Sequence, residues 1–509
     1  MGYLLIQAII VPLVTAVLCY LLSLRLGGRV GWVAFAGLAG SSIVLLIFGS
    51  ADILNVSSLS ESYDWAPSAG LRFGLLADGL SFPVLMIVNF VLAASAVYSM
   101  PYMEKRVGAL YGETRPGRLG VYYLNFMLVA TGLAGIVLST NLVELYLFLE
   151  LVLIPTFVII SLFGYVQKER VGVIYIIWNQ LGAFVFLAGI ALAYIATGAY
   201  GSPNSFEISD LVRAQGSTLA YWVAGLILIG WLVKMGIFGL HMWLPITEAE
   251  PPTSFAPTMA VVSGIGTYVL ARVLLQGMPD TFQAFSLPLM AWAVITMFYG
   301  GAVTLAQSDV KYIFGWSTMS QNAYSILALA SWIPLGVAGG VFYFMSHILG
   351  KFVMFAVAGI LLTQTGLRDS KQMGGLAAKL PFTSALFILG ALILSAVPPT
   401  SGFQAEWILF AGLFTNVPNG SYLAGYMILT MLGLIATLFT VAYTFWPIRR
   451  IFFGALPSSL SEVKEAPLKM TIPIFAAVVL SILIGIFPNM VTEFLRWFAA
   501  SLRLGGGGS

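Results

Sequence analysis

Hydrophobic positions along this chain come in unbroken runs of about twenty, neither in the three-to-four-residue rhythm of a surface helix nor in the alternation of a half-buried strand. Runs of that length cross a bilayer core of roughly 30 Å as helices. They fall near 3–24, 30–50, 72–98, 119–138, 142–164, 171–197, 219–250, 255–276, 283–306, 311–331, 335–364, 382–412, 422–452 and 471–499. The pattern predicts an all-α polytopic membrane protein of about fourteen spans, one transmembrane domain over 1–504, with no alternating segments of a membrane barrel. Met1 to Leu24 has no basic start and no small-residue cleavage site, so it reads as the first span and not as a cleavable signal. Gly505–Ser509 reads as an engineered linker and plays no part in the fold.

Polar residues divide these runs unevenly. Spans 7 (219–250) and 12 (382–412) would reach about 46–48 Å as straight helices, well beyond the bilayer core. Each holds its own breaker, Pro245 in the first and Ser395-Ala-Val-Pro398-Pro399-Thr-Ser401-Gly402 in the second. The two are five spans apart, and an odd offset reverses orientation. Broken helices at matching places in oppositely oriented units are the mark of an inverted-repeat transporter, with spans 4–8 (119–276) and 9–13 (283–452) as the repeats and 471–499 as a last span.

Composition narrows the class. The chain is 60% hydrophobic and only 8% charged, with a mean hydropathy of +0.96, whereas soluble domains carry about a quarter charged residues. Most of the Lys and Arg lie in loops after odd-numbered spans, among them Arg25, Lys105, Arg118, Lys168, Arg368, Lys379 and Arg450. The positive-inside rule makes those loops cytoplasmic and puts both termini on the outer side of a cell membrane. A net charge of +3, spread through loops, argues against a nucleic-acid partner. Cys19 is the only cysteine, which excludes disulfides, zinc sites and iron–sulfur clusters from this chain alone, and two histidines make only a weak case for a haem.

The few ionisable residues inside spans carry the candidate chemistry. A charge at the bilayer centre costs about 2.5–3.5 kcal/mol on insertion scales and marks an ion pathway by default. Lys234 lies among Leu232, Val233, Met235 and Ile237, shortly before the break that contains His241, Pro245, Glu248 and Glu250. Glu150 has no local explanation and is the natural partner of Lys234. Glu144, at capping-box spacing from Asn141, has a structural explanation as well as a functional one. His347 and Lys351 share one helix face at i and i+4, and Glu406 follows the second break. Lys311 begins a span behind Asp309, a capping residue, and doubles as a cytoplasmic-side charge.

These residues sit in stretches that resemble the antiporter-like subunits of respiratory complex I, the related Mrp cation/proton antiporters and the membrane-bound hydrogenases. The matching pieces are LLADGLSFP (75–83), FLELVLIP with Glu150, LVKMGIFGLHMWLP with Lys234, GTYVLAR (266–272), SDVKYIFGWSTMSQ (308–321), SHILGKFVMF with Lys351, KQMGGLAAKLP (371–381) and PPTSGFQAEW with Glu406. The resemblance implies a glutamate–lysine pair at Glu150 and Lys234, a central basic site and a far-side acid at Glu406. Glutamate at that last position resembles the subunit-4 type. In two places the chain departs from the family: Gly264 stands where the subunit-4 type usually has a lysine, and Ile246 and Glu248 stand where Asp and His are common. The central basic site is therefore expected at Lys351 with His347.

The resemblance implies a non-redox, proton-translocating membrane subunit of a complex I-like oxidoreductase. Such a subunit holds no cofactor of its own, sits beside sister antiporter-like subunits in a hetero-oligomeric complex, and receives its energy from partner subunits that carry flavin and iron–sulfur or nickel–iron centres. A subunit of a sodium/proton antiporter of the Mrp type or of a membrane-bound hydrogenase, and a passive scaffold with static ion pairs, are the competing expectations.

Overall fold

The computed structural model describes residues 3–56, 58–69, 71–112, 115–198, 201–415 and 423–502; the linker at 505–509 lies outside them. Two helices open the chain, α1 (Gln7–Leu26) and α2 (Gly31–Val56). Both turn large apolar side chains outward, among them Val14, Leu21, Ile43 and Ile47, as helices that face lipid do.

An antiparallel hairpin follows, β1 (Ser58–Ala66) and β2 (Leu71–Asp78), in register from Ser58 opposite Asp78 to Asp64 opposite Arg72. Here the predicted third span is corrected, because residues 72–78 are extended and helix α3 begins only at Ser81. The run of apolar residues across 71–86 hides two structures, and the Asp78 side chain divides them by accepting from the Leu80 and Ser81 amides. The free edge of β2 is covered by the turn at 139–141, which bridges to Leu75 on one side and to Glu207 on the other, so no strand edge is left bare there.

The body of the protein is α3 (Ser81–Tyr111), α4 (Pro116–Leu138), α5 (Leu142–Phe163), α6 (Lys168–Thr197), α7 (Ala220–Met235), the short α8 (Leu244–Ala249), α9 (Ala256–Gly264), α10 (Gly266–Leu270), the short α11 (Pro279–Gln283), α12 (Ser286–Ala306), α13 (Val310–Ala330), α14 (Pro334–Thr365), α15 (Pro381–Leu394), α16 (Ser401–Phe414), α17 (Leu423–Phe452), α18 (Leu468–Ile486) and α19 (Asn489–Ser501). Among the described residues, ten helical stretches are long and apolar enough to span a bilayer. Helix α14 is the hub, buried throughout Gly336–Leu361 and packed by α3, α9, α13, α15, α16 and α18.

Both expected breaks are present, one of them displaced. α7 stops at Met235, where Gly236 turns left-handed at φ +66°, and Gly239 follows at φ +86°; Pro245 instead lies in the first turn of α8, where proline is tolerated. The second break runs between Leu394 and Ser401, as its Ser/Pro composition predicts. The span expected at 255–276 is divided into α9, α10 and a π-helical turn at Ala271–Leu275. The single last span expected at 471–499 is two helices, because Pro488 ends the apolar run and α19 is amphipathic, with Val491, Phe494, Leu495 and Phe498 buried and Arg496 outward.

The loops gather at two ends. Arg106, Tyr165, Glu250, Lys311 and Arg368 meet at one, the basic face. At the other, the hairpin face, Glu61 accepts from the amides of Leu5 and Ile6, and Gln276 donates to Ser501, so both ends of the described chain lie on the hairpin side.

Candidate functional site

Lys234 is the penultimate residue of α7 and 4% exposed. Its ammonium donates to the backbone carbonyl of Asn179 on α6, at 3.2 Å. Glu150 on α5 is close enough to act on that charge, but among the described residues the two make no ion pair within 4.0 Å, so the expected direct pairing is corrected to a separated one. One oxygen of Glu150 is buried without a hydrogen-bond partner. Tyr146 and Tyr175 are its polar neighbours.

From the end of α7 side-chain hydrogen bonds lead to Glu248, and a second set, one residue along α13, holds Lys351 of α14. Asn322 on α13 donates to the Met235 carbonyl at 2.9 Å and to Ser263 Oγ at 3.4 Å. Ser263 Oγ donates to Glu248 Oε1 at 3.5 Å, and Thr318 Oγ1 donates to Glu248 Oε2 at 2.5 Å. One residue before Thr318, Ser317 Oγ accepts from Lys351 Nζ at 2.5 Å, and the ammonium also donates to the Phe314 carbonyl at 2.5 Å. Glu248 and Lys351 are both 0% exposed, and each lies within reach of the other's charge.

Glu248 is the residue that motif reasoning misses. The sequence marks it only as a departure from a family pattern, yet it is the buried acid that faces the central lysine. The structure also accounts for the missing lysine at 264. A side chain there would meet Phe344 at 2.6 Å and the Asn322 side-chain Oδ1 at 3.4 Å, so Phe344 fills the space that a longer side chain would need.

His347 lies one turn before Lys351, 3% exposed, with Nε2 unpartnered. Beside it, Ser346, Ser401 and Ser481 form a hydroxyl chain at 2.7 and 2.8 Å that reaches the start of α16. Toward Glu406 a second net begins at Tyr343, which donates to Gln321 at 2.7 Å; Gln321 in turn donates to Tyr443 at 2.8 Å and Thr440 at 3.2 Å. Glu406, on α16, is within electrostatic reach of Tyr324, Tyr343 and Tyr443.

The remaining candidates lie off this line. Asn141 caps α5, its Oδ1 accepting from the Glu144 amide at 2.8 Å as the spacing predicts. The reciprocal half of the capping box is absent, because the Glu144 carboxylate accepts from Gly74 N and Asn141 Nδ2, both at 3.1 Å, and so ties α5 to the hairpin. His241 sits in the first break among Phe238, Tyr299 and Trp316, Nδ1 accepting from the Gly239 amide and Nε2 unpartnered. Glu250 and Lys311 lie on the basic face, where Glu250 accepts from the Gln167 amide at 2.7 Å and Lys311 donates to the Pro251 carbonyl at 2.5 Å. Asp309 caps α13 by accepting from the Lys311 and Tyr312 amides.

Such an arrangement can hold protons on five separated carboxyl and amine groups and pass them through hydroxyls and amides between. Among the described residues no group of three or more His, Cys, Asp and Glu could hold a metal ion.

Comparison with known proteins adds the lineage. A family model described as NADH:quinone oxidoreductase/Mrp antiporter, transmembrane, matches residues 139–446. The F(420)H(2) dehydrogenase subunit M of Methanosarcina mazei is 26% identical over 96% of this chain and 95% of its own length. An NAD(P)H-quinone oxidoreductase chain 4 of a Synechococcus species is 27% identical over 92% of this chain and 86% of its own. A chain in the structure of the Mrp complex from Dietzia sp. superimposes with a TM-score of 0.85 at 20% identity, covering 98% of this chain and 97% of that one.

Proposed function

The chain belongs to the NADH:quinone oxidoreductase/Mrp antiporter transmembrane family, and we propose that it works as the proton-translocating, non-redox membrane subunit of a complex I-like oxidoreductase. The observation that carries this reading is the line Glu150, Lys234, Glu248, Lys351 and Glu406, buried at its three middle members and half-buried at its two ends, with Asn322, Ser263 and Thr318 hydrogen-bonded between the end of α7 and Glu248, and Ser317 on Lys351. A passive scaffold has no need of charges at this depth, where replacing a buried pair by apolar residues is often neutral or stabilising.

In this mechanism the subunit moves protons by shifting charges. Glu150 acts on Lys234 across a gap, so its approach or retreat biases whether the lysine holds its proton. Neighbouring charges interact by roughly 4 kcal/mol at 4 Å with an effective dielectric of 20, enough to drive such a transfer. Lys234 releases toward Glu248 through the Asn322–Ser263 link, Glu248 exchanges with Lys351 through Thr318 and Ser317, and the tyrosine net with His347 carries the proton on to Glu406. The basic face is cytoplasmic and the hairpin face outer, with 119–276 and 283–452 acting as two inverted units. Electrons pass only through partner subunits with flavin and iron–sulfur or nickel–iron centres, beside sister antiporter-like subunits.

Lys234→Ala in the assembled complex tests this. Electron transfer should proceed while proton translocation, read by a pH-sensitive dye in sealed vesicles, is lost; retained pumping would sink the relay. Sodium-driven proton exchange by the assembly with no electron donor present would move the assignment to the antiporter branch of the same family.

A further inference from the structure

At the basic face, five loops and helix ends converge on one aromatic ring. Tyr165, in the link between α5 and α6, has the Arg106 guanidinium 4.0 Å from its ring centroid, the Lys311 ammonium at 4.3 Å and the Arg368 guanidinium at 5.6 Å. Three cations around one ring repel one another, and the site holds them by separate means. Arg106 donates to the carbonyls of Phe163 and Gly164. Arg368 pairs with Asp309 at 2.8 Å. Lys311 has no such carboxylate; its ammonium donates to the Pro251 carbonyl at 2.5 Å and rests on the ring. It is 1% exposed, and Glu250 lies within reach of its charge without an ion pair.

The position of Lys311 gives this cluster a direction. Pro251 belongs to the link that follows α8, three residues after Glu248. On α13, Lys311 and Thr318 are seven residues apart, two turns or about 10.5 Å on one face. The lysine thus stands between water on the basic face and the Thr318–Glu248 hydrogen bond. Between the two on that face is Gly315, where a side chain would come within 2.7 Å of the Pro245 carbonyl and fill the space along the helix, and Tyr102 closes the far side by bonding Tyr165 and accepting from the Thr253 amide.

We propose that Lys311, seated on Tyr165 and the Pro251 carbonyl, is the gate through which the basic face reaches Glu248. When its ammonium swings off Pro251, toward Glu250 or outward, a path opens along α13 to Thr318; when it returns, the path is shut. Lys311 is a positioning and gating residue and takes no part in the proton chain itself. The inference rests on the proposed relay for its purpose, and its test reads access rather than pumping, so the two can fail separately.

The test uses the assembled complex in oriented vesicles. Cys19 is the only native thiol of this chain, and it is replaced by serine. Thr318→Cys then places the chain's single thiol directly below the gate, and modification by a small, charged, membrane-impermeant methanethiosulfonate is followed by mass spectrometry of this subunit. Lys311→Ala should speed labelling from the basic face about tenfold or more, the change in open population when one charge-assisted hydrogen bond is lost, and leave the rate from the hairpin face unchanged. Lys311→Arg should stay near the parent rate. Tyr165→Leu, which removes the ring and keeps the carbonyl, should act in the same direction and serves if Lys311→Ala does not assemble. Equal rates with and without the lysine would overturn the gate. So would equal acceleration from both faces, the result of a loosened fold.

Discussion

Replacing Lys351 by methionine removes a fully buried ammonium, and the hydrogen bonds around it determine where the cost falls. Its carbonyl acceptor is not orphaned, because the Phe314 carbonyl also accepts from Ser317 Oγ at 3.0 Å. What is stranded is Glu248, 0% exposed and left with two hydroxyl donors. Removing one member of a buried charge pair costs about 3–5 kcal/mol. The reverse change, Glu248→Gln, leaves Lys351 with both of its acceptors, so its cost should be smaller, about 1–3 kcal/mol. In the double variant neither charge remains, and part of the summed penalty disappears. A double-mutant cycle should therefore return a coupling of about 2–3 kcal/mol, with Lys351→Met the more damaging single change. The measurement is equilibrium unfolding in mixed micelles, followed by helical circular dichroism. Additivity within about 0.5 kcal/mol would mean that α8 and α14 do not share a charge, and the middle of the proposed relay would be broken.

Three further changes test the frame around the site. Gly236→Ala puts a Cβ 2.5 Å from Leu244 at a left-handed position, which should cost about 1–2 kcal/mol for the backbone alone and lower both assembly and pumping, as read by the yield of purified complex and by dye quenching. Arg272→Gln strips Asp78 of two hydrogen bonds at 2.6 and 2.7 Å and should destabilise by about 3–5 kcal/mol, whereas Arg272→Lys should recover part of that in the same unfolding assay. Asn141→Ala removes the α5 cap and one partner of Glu144; a loss of about 1 kcal/mol is expected from the cap, seen as a lower unfolding midpoint with pumping intact.

The sequence carries the spans and the line of charges well, because both obey strong physical constraints. An apolar run of twenty residues has few other uses, and an ionisable residue inside one needs a reason. It carries local geometry less well. β2 was hidden because Leu71, Leu75 and Leu76 are as apolar as a helix start, and its pairing with Ser58–Ala66 and the 139–141 turn is long-range. The sequence points to Pro245 for the first break because proline is the stronger helix breaker, although a proline in the first turn suits a helix and the left-handed Gly236 is what ends α7. Glu248 is legible only as a departure from the family pattern, because its partner Thr318 is 70 residues away along the chain and only packing brings the two together.

The two breaks differ in the sign of charge they hold, and helix electrostatics accounts for part of this. A half-helix that stops inside the membrane leaves its last carbonyls free, the equivalent of about half a negative charge. Lys234 occupies the last turn of α7, so a cation there is favoured by the helix that carries it as well as by Glu150. Glu406 lies on the other kind of end, the sixth residue of α16, which starts at Ser401. The positive end of a helix favours a carboxylate, but the effect fades within the first turn, so Glu406 depends more on the tyrosines around it. Lys351 and Glu248 have opposite signs and no such terminus in common: the lysine is in the middle of the unbroken α14 and must be held by the acid and by the carbonyl of Phe314. The line therefore has two lysines with different supports, one fixed by a helix end and one by a side chain that can itself change charge. Both face a carboxylate, but only Lys351 has no helix end to hold its charge, and that makes the Glu248–Lys351 pair the place in the proposed relay where a proton arriving from the first half can most readily alter the second.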